Sequence, residues 1–452
     1  MAPSIGNVDA GVAVALCPFR EGRVCPVRNR GGFATTSGVC LKKSFSGFPS
    51  LRKDGILPLD METEGYRTVS EVAEGWGVTP RRVRDFCSAG RIPGAKTAGR
   101  SWLIPEDAMK PADGRSVRGG GMAKQGPETM EMQNRNMMNY CPDIKVFDAT
   151  MRDGGLVNNF GFTDEFVSDL YRANLAAGVD YMEFGYRASK NMFKVSDFGK
   201  WKFSDEEDIR AVVGENKTPL KIAVMADAGR CDYKTDILPK KDSVVDVIRV
   251  ACYIHQIPLA IDMIEDAKAK GYEVTCNLMA VSKVPGEDLE KGIKMIAASP
   301  VDVLYLVDSF GYFCPEQIAG LAKKYVEAMQ GRETGFHGHN NQQLAFANTI
   351  ECCRHGVNYL DVTVNGMGRG AGNCFSEQLL NFLKNPKYSA LPILEFVQKH
   401  MLRMKTEGWK WGYDIPYLLT GVMNCHPRSA IKFIADNRTD YVNFAHELTE
   451  MD

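Results

Sequence analysis

The sequence predicts an α/β protein: a parallel (β/α)8 barrel of the TIM kind, with a small N-terminal winged helix-turn-helix and a C-terminal helical extension. Three observations predict it. Between residues 141 and 385, short apolar runs alternate with amphipathic stretches, the pattern of repeated βαβ units. Eight such units fit the size of about 250 residues that a barrel needs. Polar residues collect at the C-terminal ends of the strands, as a barrel mouth requires, which makes a doubly wound open sheet the weaker reading.

The chain has 452 residues, 44% hydrophobic and 25% charged, enough for one large domain and a small one. A net charge of -1 gives no global pull toward nucleic acid or membrane, so any such affinity is local. The 13 cysteines are scattered without the paired spacing of a zinc site, and they read as reduced thiols in a cytoplasmic protein. No apolar run spans a bilayer, and the patch from Gly11 to Leu16 lacks the basic segment of a signal peptide.

Residues 1–60 show no periodicity and read as a disordered tail or an extension from a mis-assigned start, with Met61 resembling a natural beginning. Residues 66–110 differ. Thr68 or Ser70 ahead of an acidic residue starts a short helix that stops at Gly75 or Gly77. A second helix follows Thr79-Pro80 and stops at Gly90, and residues 91–105 read as a β-wing. The order of helix, Thr-Pro-Arg-Arg-Val-Arg, Gly-Arg-Ile-Pro-Gly and wing resembles the MerR-like or excisionase-type winged helix-turn-helix. That likeness implies DNA contacts from Arg81, Arg82 and Arg84 on the second helix and from Lys96 and Arg100 on the wing. The alternative is a protein-contact module whose arginines form a solvated face. Residues 111–140, rich in Gly, Arg, Met and Gln, read as a linker.

The barrel strands are expected at Lys145–Ala149, Tyr181–Phe184, Lys221–Met225, Val247–Ala251, Glu273–Met279, Val303–Val307, Gly335–His339 and Tyr359–Val364. Helical stretches such as Glu165–Ala177, Pro258–Lys270 and Pro315–Met329 lie between them, several ending in a glycine suited to a helix C-terminus. Residues 386–452 read as helical and fit a barrel cap or an interface of a homo-oligomer.

The chemistry is concentrated in Gly-Phe-His-Gly-His-Asn-Asn, residues 335–341. On a strand, side chains alternate, so His337 and His339 share a face at metal-ligand spacing. Two imidazoles need an oxygen partner to hold a hard divalent cation, and Asp153 in Asp-Ala-Thr-Met-Arg-Asp-Gly is the best source. Other polar residues expected at the mouth are Asp148, Arg152, Glu183, Asn277, Asp308 and Asn365. A glycine-rich run from Gly366 to Asn373 would let backbone approach a ligand.

Three motifs, Asp148–Gly154, His337–Asn341 and Asn365–Asn373, resemble those of the DRE-TIM metallolyases with an HMGL-like domain, nearest the 4-hydroxy-2-oxovalerate aldolase-like branch. The resemblance implies that Asp153, His337 and His339, with Asn373 adding a ligand, bind Mn²⁺ or Mg²⁺. It implies that Arg152 holds the oxyanion of an enolate formed from a 2-oxo acid. Asp148 would act directly or orient Arg152, and Glu183, Asn277, Asp308 and Asn365 would contact substrate, with barrel-core hydrogen bonding as the other reading of Asn277 and Asp308. Glu183 has a second reading, as the partner of Arg152 or Arg187. In the aldolase branch a partner aldehyde dehydrogenase accepts the product. The aldolases carry a base histidine just after Arg-Asp-Gly, whereas this chain has Gly155-Leu156-Val157-Asn158-Asn159, which leaves His426, Tyr186 or a metal-bound water as base, or else implies a different substrate. Two other functions compete: a Claisen-type acyltransferase of the isopropylmalate synthase kind, whose usual regulatory domain has no counterpart here, and a DNA-binding regulator with a metabolite-sensing barrel.

Overall fold

The computed structural model describes residues 65–98, 101–111, 135–137 and 139–450. Residues 1–60, Arg100 and most of the expected linker lie outside the described residues.

The N-terminal module begins with β1 (Tyr66–Thr68), α1 (Val69–Trp76) and α2 (Pro80–Ser88), followed by β2 (Lys96–Ala98) and β3 (Ser101–Pro105). Thr68 caps α1 as half of a capping box, since its Oγ1 accepts from the Glu71 N–H while Glu71 Oε2 accepts from the Thr68 N–H at 2.7 Å. Thr79 caps α2, and Pro80 takes the first helical position, where a missing N–H costs nothing. Val72, Val83, Phe86, Ile92 and Ile104 form the module's own core. The wing is a three-stranded sheet in the order β1-β3-β2. Its third strand, β1, was not anticipated: a three-residue strand before a helix cap has no periodicity to read.

The barrel strands are β4 (Lys145–Asp148), β5 (Tyr181–Tyr186), β6 (Lys221–Asp227), β7 (Val247–Cys252), β8 (Glu273–Leu278), β9 (Val303–Asp308), β10 (Glu333–Gly338) and β11 (Tyr359–Val362). They follow one another around a closed, parallel ring in which β11 pairs back onto β4, with Leu360 beside Val146 and Val362 beside Asp148. Each expected strand is present within two residues of its expected ends. The helices are α3 (Thr150–Asn158), α4 (Asp164–Ala177), α5 (Glu206–Val213), α6 (Tyr233–Asp236), α7 (Ile257–Ala269), α8 (Gly286–Ala298), α9 (Pro315–Met329), α10 (Ala345–Arg354) and α11 (Ser376–Phe382). Five more follow: α12 (Leu391–Phe396), α13 (Leu402–Thr406), α14 (Ile415–Val422), α15 (Arg428–Ala435) and α16 (Tyr441–Glu450).

Alternation along each strand separates two cores. Outward residues such as Val146, Met182, Ile222, Ile248, Val274, Leu304 and Leu360 pack under the helices. Inward residues Phe147, Tyr181, Val247, Val303, Tyr305 and Tyr359 fill the barrel. Phe147 stacks on Tyr181 with ring centroids 4.9 Å apart. Burying such a ring stabilises the fold by about 1.5–3 kcal/mol. Tyr305 explains Gly335 on the neighbouring strand, because a Cβ there would lie 2.5 Å from the tyrosine ring. A plug of side chains therefore closes one end, and chemistry is confined to the C-terminal ends of the strands.

Candidate active site

β10 carries His337 into the barrel, and His339, just past the strand, is held by a bridge to Asn373. The two imidazoles stand nearly perpendicular, with centroids 5.0 Å apart. Asp153 arrives from the first turn of α3, directly after β4. All three side chains are buried, and each offers a ligand atom within 4.8 Å of the others.

The outer nitrogen of each imidazole is already engaged. His337 Nδ1 donates to Asp361 Oδ2 at 2.9 Å, and His339 Nδ1 donates to the Asp308 carbonyl at 3.1 Å. Both Nε2 atoms therefore carry lone pairs, and both are buried without a hydrogen-bond partner among the described residues. His339 Nε2 lies 3.5 Å from Asp153 Oδ2. Burial, opposed by the Asp361 hydrogen bond, lowers His337 to about 4, so it is neutral at pH 7, as a metal ligand must be. Burial raises Asp153, but the Arg152 guanidinium beside it outweighs this and holds the carboxyl well below the usual range. Asn373 donates to Asp153 Oδ2, and its Oδ1 has no hydrogen-bond partner among the described residues. Orphaned buried donor atoms beside a carboxylate, with the far side of each ring fixed, fit a divalent cation.

Behind this triad runs a buried chain of charges. Arg152 donates Nη1 to Asp153 at 2.9 Å and Nε to Glu183 at 2.9 Å. Glu183 also accepts from Arg249 at 3.0 Å, and Arg249 reaches Asp361 at 2.7 Å, which returns to His337. Arg249 is fully buried between the rings of Phe147 and Tyr305, at 4.1 and 4.5 Å from their centroids. Neither Arg249 nor Asp361 was singled out in the sequence. The available signal was a lone charge inside an apolar strand, Val-Ile-Arg-Val-Ala and Tyr-Leu-Asp-Val, which a barrel interior tolerates only in pairs.

A cavity of about 80 Å³ opens onto the triad, lined by Arg152, Asp153, Tyr186, Asn277, His337, His339, Arg369 and His426 among others. Asn277 thus stands where a substrate contact was expected. Glu183, Asp308 and Asn365 do not line it. Glu183 is taken up by the two arginines. Asp308 accepts from the Tyr312 and Phe313 N–H groups while its carbonyl orients His339, and burial raises its carboxyl to about 6. Asn365 sits at φ 53° at the start of the glycine-rich loop, and its carbonyl accepts from Trp411. Asp148 is fully buried and is engaged by Thr150 and Asn174 instead of Arg152. Burial raises it to about 6.

The expected bases change character in place. His426 Nδ1 accepts from the Arg428 N–H at 3.1 Å, which leaves the proton on Nε2, and burial with the charge of Arg369 lowers it to about 4. Burial raises Tyr186 above its ordinary value. Both groups are therefore donors at neutral pH. From the run where the aldolases carry histidine, Leu156 lines the cavity.

On the N-terminal module, Arg81, Arg82 and Arg84 are exposed on α2, and Lys96 is exposed on the wing with Nζ 4.1 Å from the centroid of Tyr66. Arg82 also lies over the Phe86 ring.

Residues 143–398 match the HMGL-like family model, and residues 68–110 match that of a helix-turn-helix domain. The chain is 33% identical over 242 residues to oxaloacetate decarboxylase of Mycobacterium tuberculosis, covering 53% of this chain and 69% of that one. It is 30% identical over 250 residues to 4-hydroxy-2-oxovalerate aldolase of Pelotomaculum thermopropionicum, covering 55% and 72%. Among solved structures, the N-terminal domain of a provisionally named aldolase from Bacteroides vulgatus is 28% identical with a TM-score of 0.56, covering 64% of this chain and 96% of that one. The carboxyl transferase domain of Rhizobium etli pyruvate carboxylase, 14% identical with a TM-score of 0.50 over 65% of this chain and 53% of that one, shares the fold alone. The chain belongs to the HMGL-like family, as an enzyme of its lyase class with a helix-turn-helix domain ahead of the barrel.

Proposed function

We propose that this protein is a divalent-metal-dependent lyase that breaks or forms the carbon–carbon bond next to a 2-oxo acid through an enolate. The observation that carries the reading is the pair of buried, partnerless Nε2 atoms of His337 and His339 facing Asp153. Asp153, His337 and His339 would hold Mn²⁺ or Mg²⁺, and Asn373 Oδ1 is the adjoining oxygen donor. When bound, the cation supplies Lewis acidity toward the carbonyl of a chelating 2-oxo acid.

The chain's own residues do the rest. Glu183 and Asp153 fix two of the three guanidinium nitrogens of Arg152, so that Nη2 remains to meet the oxyanion that develops on the substrate. Removing such a donor costs about 10²–10³ in rate. In the aldol direction of cleavage, the C4 hydroxyl passes its proton to solvent water, since His426 and Tyr186 are both held as donors, and the C3–C4 bond breaks. The bonding pair passes to the C2 carbonyl oxygen, leaving an aldehyde and an enolate that is then protonated at C3. Tyr186 and His426, both neutral donors, are set to donate hydrogen bonds to substrate oxygens, and the proton delivered to C3 comes from solvent.

That same donor character favours a second reading, decarboxylation of a 2-oxo acid bearing a carboxylate on C3. There the bond to the carboxylate carbon breaks, carbon dioxide leaves, and no hydroxyl has to be deprotonated. The relative from M. tuberculosis is named for such a reaction. One assay separates the two: purified protein is offered 4-hydroxy-2-oxo acids and oxaloacetate, and pyruvate, aldehyde and carbon dioxide are measured. Pyruvate release that needs metal and vanishes in Asp153→Asn supports the lyase, and the co-product names the branch. A Claisen acyltransferase would release none and would consume an acyl thioester instead. The helix-turn-helix match and the exposed Arg81, Arg82 and Arg84 support duplex DNA as a further ligand of the N-terminal module, tested by a salt-sensitive mobility shift.

A further inference from the structure

Arg369 sits in the glycine-rich loop and lines the same cavity as the triad. It makes no ion pair among the described residues, and its Nε is buried without a hydrogen-bond partner. A fully solvated surface arginine would have that nitrogen hydrated, whereas Arg369, half-buried in the loop, turns its Nε into the protein at the mouth of the site with nothing there to meet it. The loop's backbone leaves it little freedom. A Cβ on Gly368 would lie 2.3 Å from Asn373 Nδ2 and 2.7 Å from Asp153 Oδ2, so the preceding residue packs on the triad. The Gly370 carbonyl accepts from the Gly412 N–H at 3.0 Å, which ties the other side to the C-terminal extension.

The charges around the cavity show what Arg369 lacks. Arg152 and Arg249 face Asp153, Glu183 and Asp361, one negative charge in excess. A divalent cation together with the single carboxylate of a 2-oxo acid brings that set to neutrality. Asp227, at the end of β6, faces two cations, Lys202 and Arg230, so it has no spare negative charge to offer Arg369. Arg369 is left over, and a second negative charge on the substrate would match it. Further donors stand around the same cavity: His426 Nε2–H, and the Ser309 hydroxyl, whose oxygen already accepts from the Ala280 N–H at 2.8 Å.

We propose that Arg369, with His426 and Ser309, forms a subsite for a second carboxylate, so that the substrate class is a dicarboxylic 2-oxo acid. The proposal rests on the lyase reading of the cavity but is tested by binding rather than turnover. Metal-loaded protein is titrated calorimetrically with 2-oxoglutarate and with 2-oxovalerate, which has a methyl where the other has a carboxylate and which, like it, has no hydroxyl to be cleaved. The wild type is expected to bind 2-oxoglutarate about 10–100-fold more tightly, the range of a charge-assisted pair. Arg369→Gln should abolish the difference while leaving 2-oxovalerate binding in place, which also shows that the variant is folded. Should it fail to fold, the wild-type pair decides alone. Equal binding of the two acids, no binding of 2-oxoglutarate, or equal losses for both acids in Arg369→Gln overturns the proposal. Displacement by inorganic phosphate but not by 2-oxoglutarate overturns it in favour of a phosphoryl subsite. If the preference is found and no 2-oxo acid is ever cleaved, the subsite stands and the lyase reading falls.

Discussion

Asp361→Asn tests the buried chain at its junction. Asp361 Oδ2 accepts from both His337 Nδ1 and Arg249 Nη2, at 2.9 and 2.7 Å, while Oδ1 has no hydrogen-bond partner among the described residues. An asparagine in the same rotamer can keep its oxygen toward both donors and place its amide where Oδ1 was, so shape is preserved and only the charge is lost. The imidazole then becomes a poorer donor toward a cation, and Arg249 keeps one carboxylate instead of two. Loss of an orienting carboxylate behind a ligand histidine costs about 10–100-fold in metal affinity, or about 1.4–2.7 kcal/mol. Titration calorimetry with Mn²⁺ and Mg²⁺ on wild type and variant measures it directly, with circular dichroism to show that the variant is folded. Unchanged affinity in a folded Asp361→Asn protein would refute the reasoning, because Asp361 would then serve only the packing of the barrel.

Arg249→Met should destabilise the protein by about 3–5 kcal/mol, since it strips a partner from two buried carboxylates; a denaturation midpoint equal to wild type would contradict this. Asp148 gives a pH dependence. Burial raises its folded value from 3.8 to about 6, so the stability it confers is complete below pH 3.8 and is lost as pH rises through about 6. Asp148→Asn does not titrate, so its stability relative to wild type should climb by up to about 3 kcal/mol between pH 4 and 8 in urea melts, and a flat difference would rule out the assignment. Gly372→Ala places a Cβ 1.9 Å from the Gly366 carbonyl at φ +75°, which costs of order 1–3 kcal/mol and should shift Asn373 enough to weaken metal binding measurably. Arg84→Ala should lower duplex affinity and reduce the slope of affinity against salt by about one unit in a filter-binding titration, whereas a protein-contact module would show neither effect.

The strands of the barrel were legible because parallel strands buried on both faces leave continuous apolar runs, and Val247–Cys252 or Val303–Asp308 can be read in no other way between amphipathic helices. That His337 and His339 share a face was legible from their spacing, but their reading as ligands also needed the Arg-Asp-Gly and Gly-Ala-Gly-Asn motifs in register with them. Asp361 and Arg249 were not, because a charge inside an apolar run acquires meaning only when the ring closes and brings β5, β7 and β11 to one depth. Asn365 illustrates the converse: it follows the right strand, but in a left-handed backbone its carbonyl accepts from Trp411, its N–H donates to Glu377, and it does not line the cavity. His426 was legible as a cavity residue. Its tautomer was not, since that depends on the Arg428 N–H two residues on, which donates to its ring.

The central claim is that Asp153, His337 and His339 together hold one divalent cation. Metal analysis of the purified chain after dialysis against Mn²⁺, repeated for Asp153→Asn and His337→Gln, tests it most directly. One ion per wild-type chain, lost in both variants while they stay folded, is the expected result. An ion retained in both variants, or none bound by the wild type, would contradict the account.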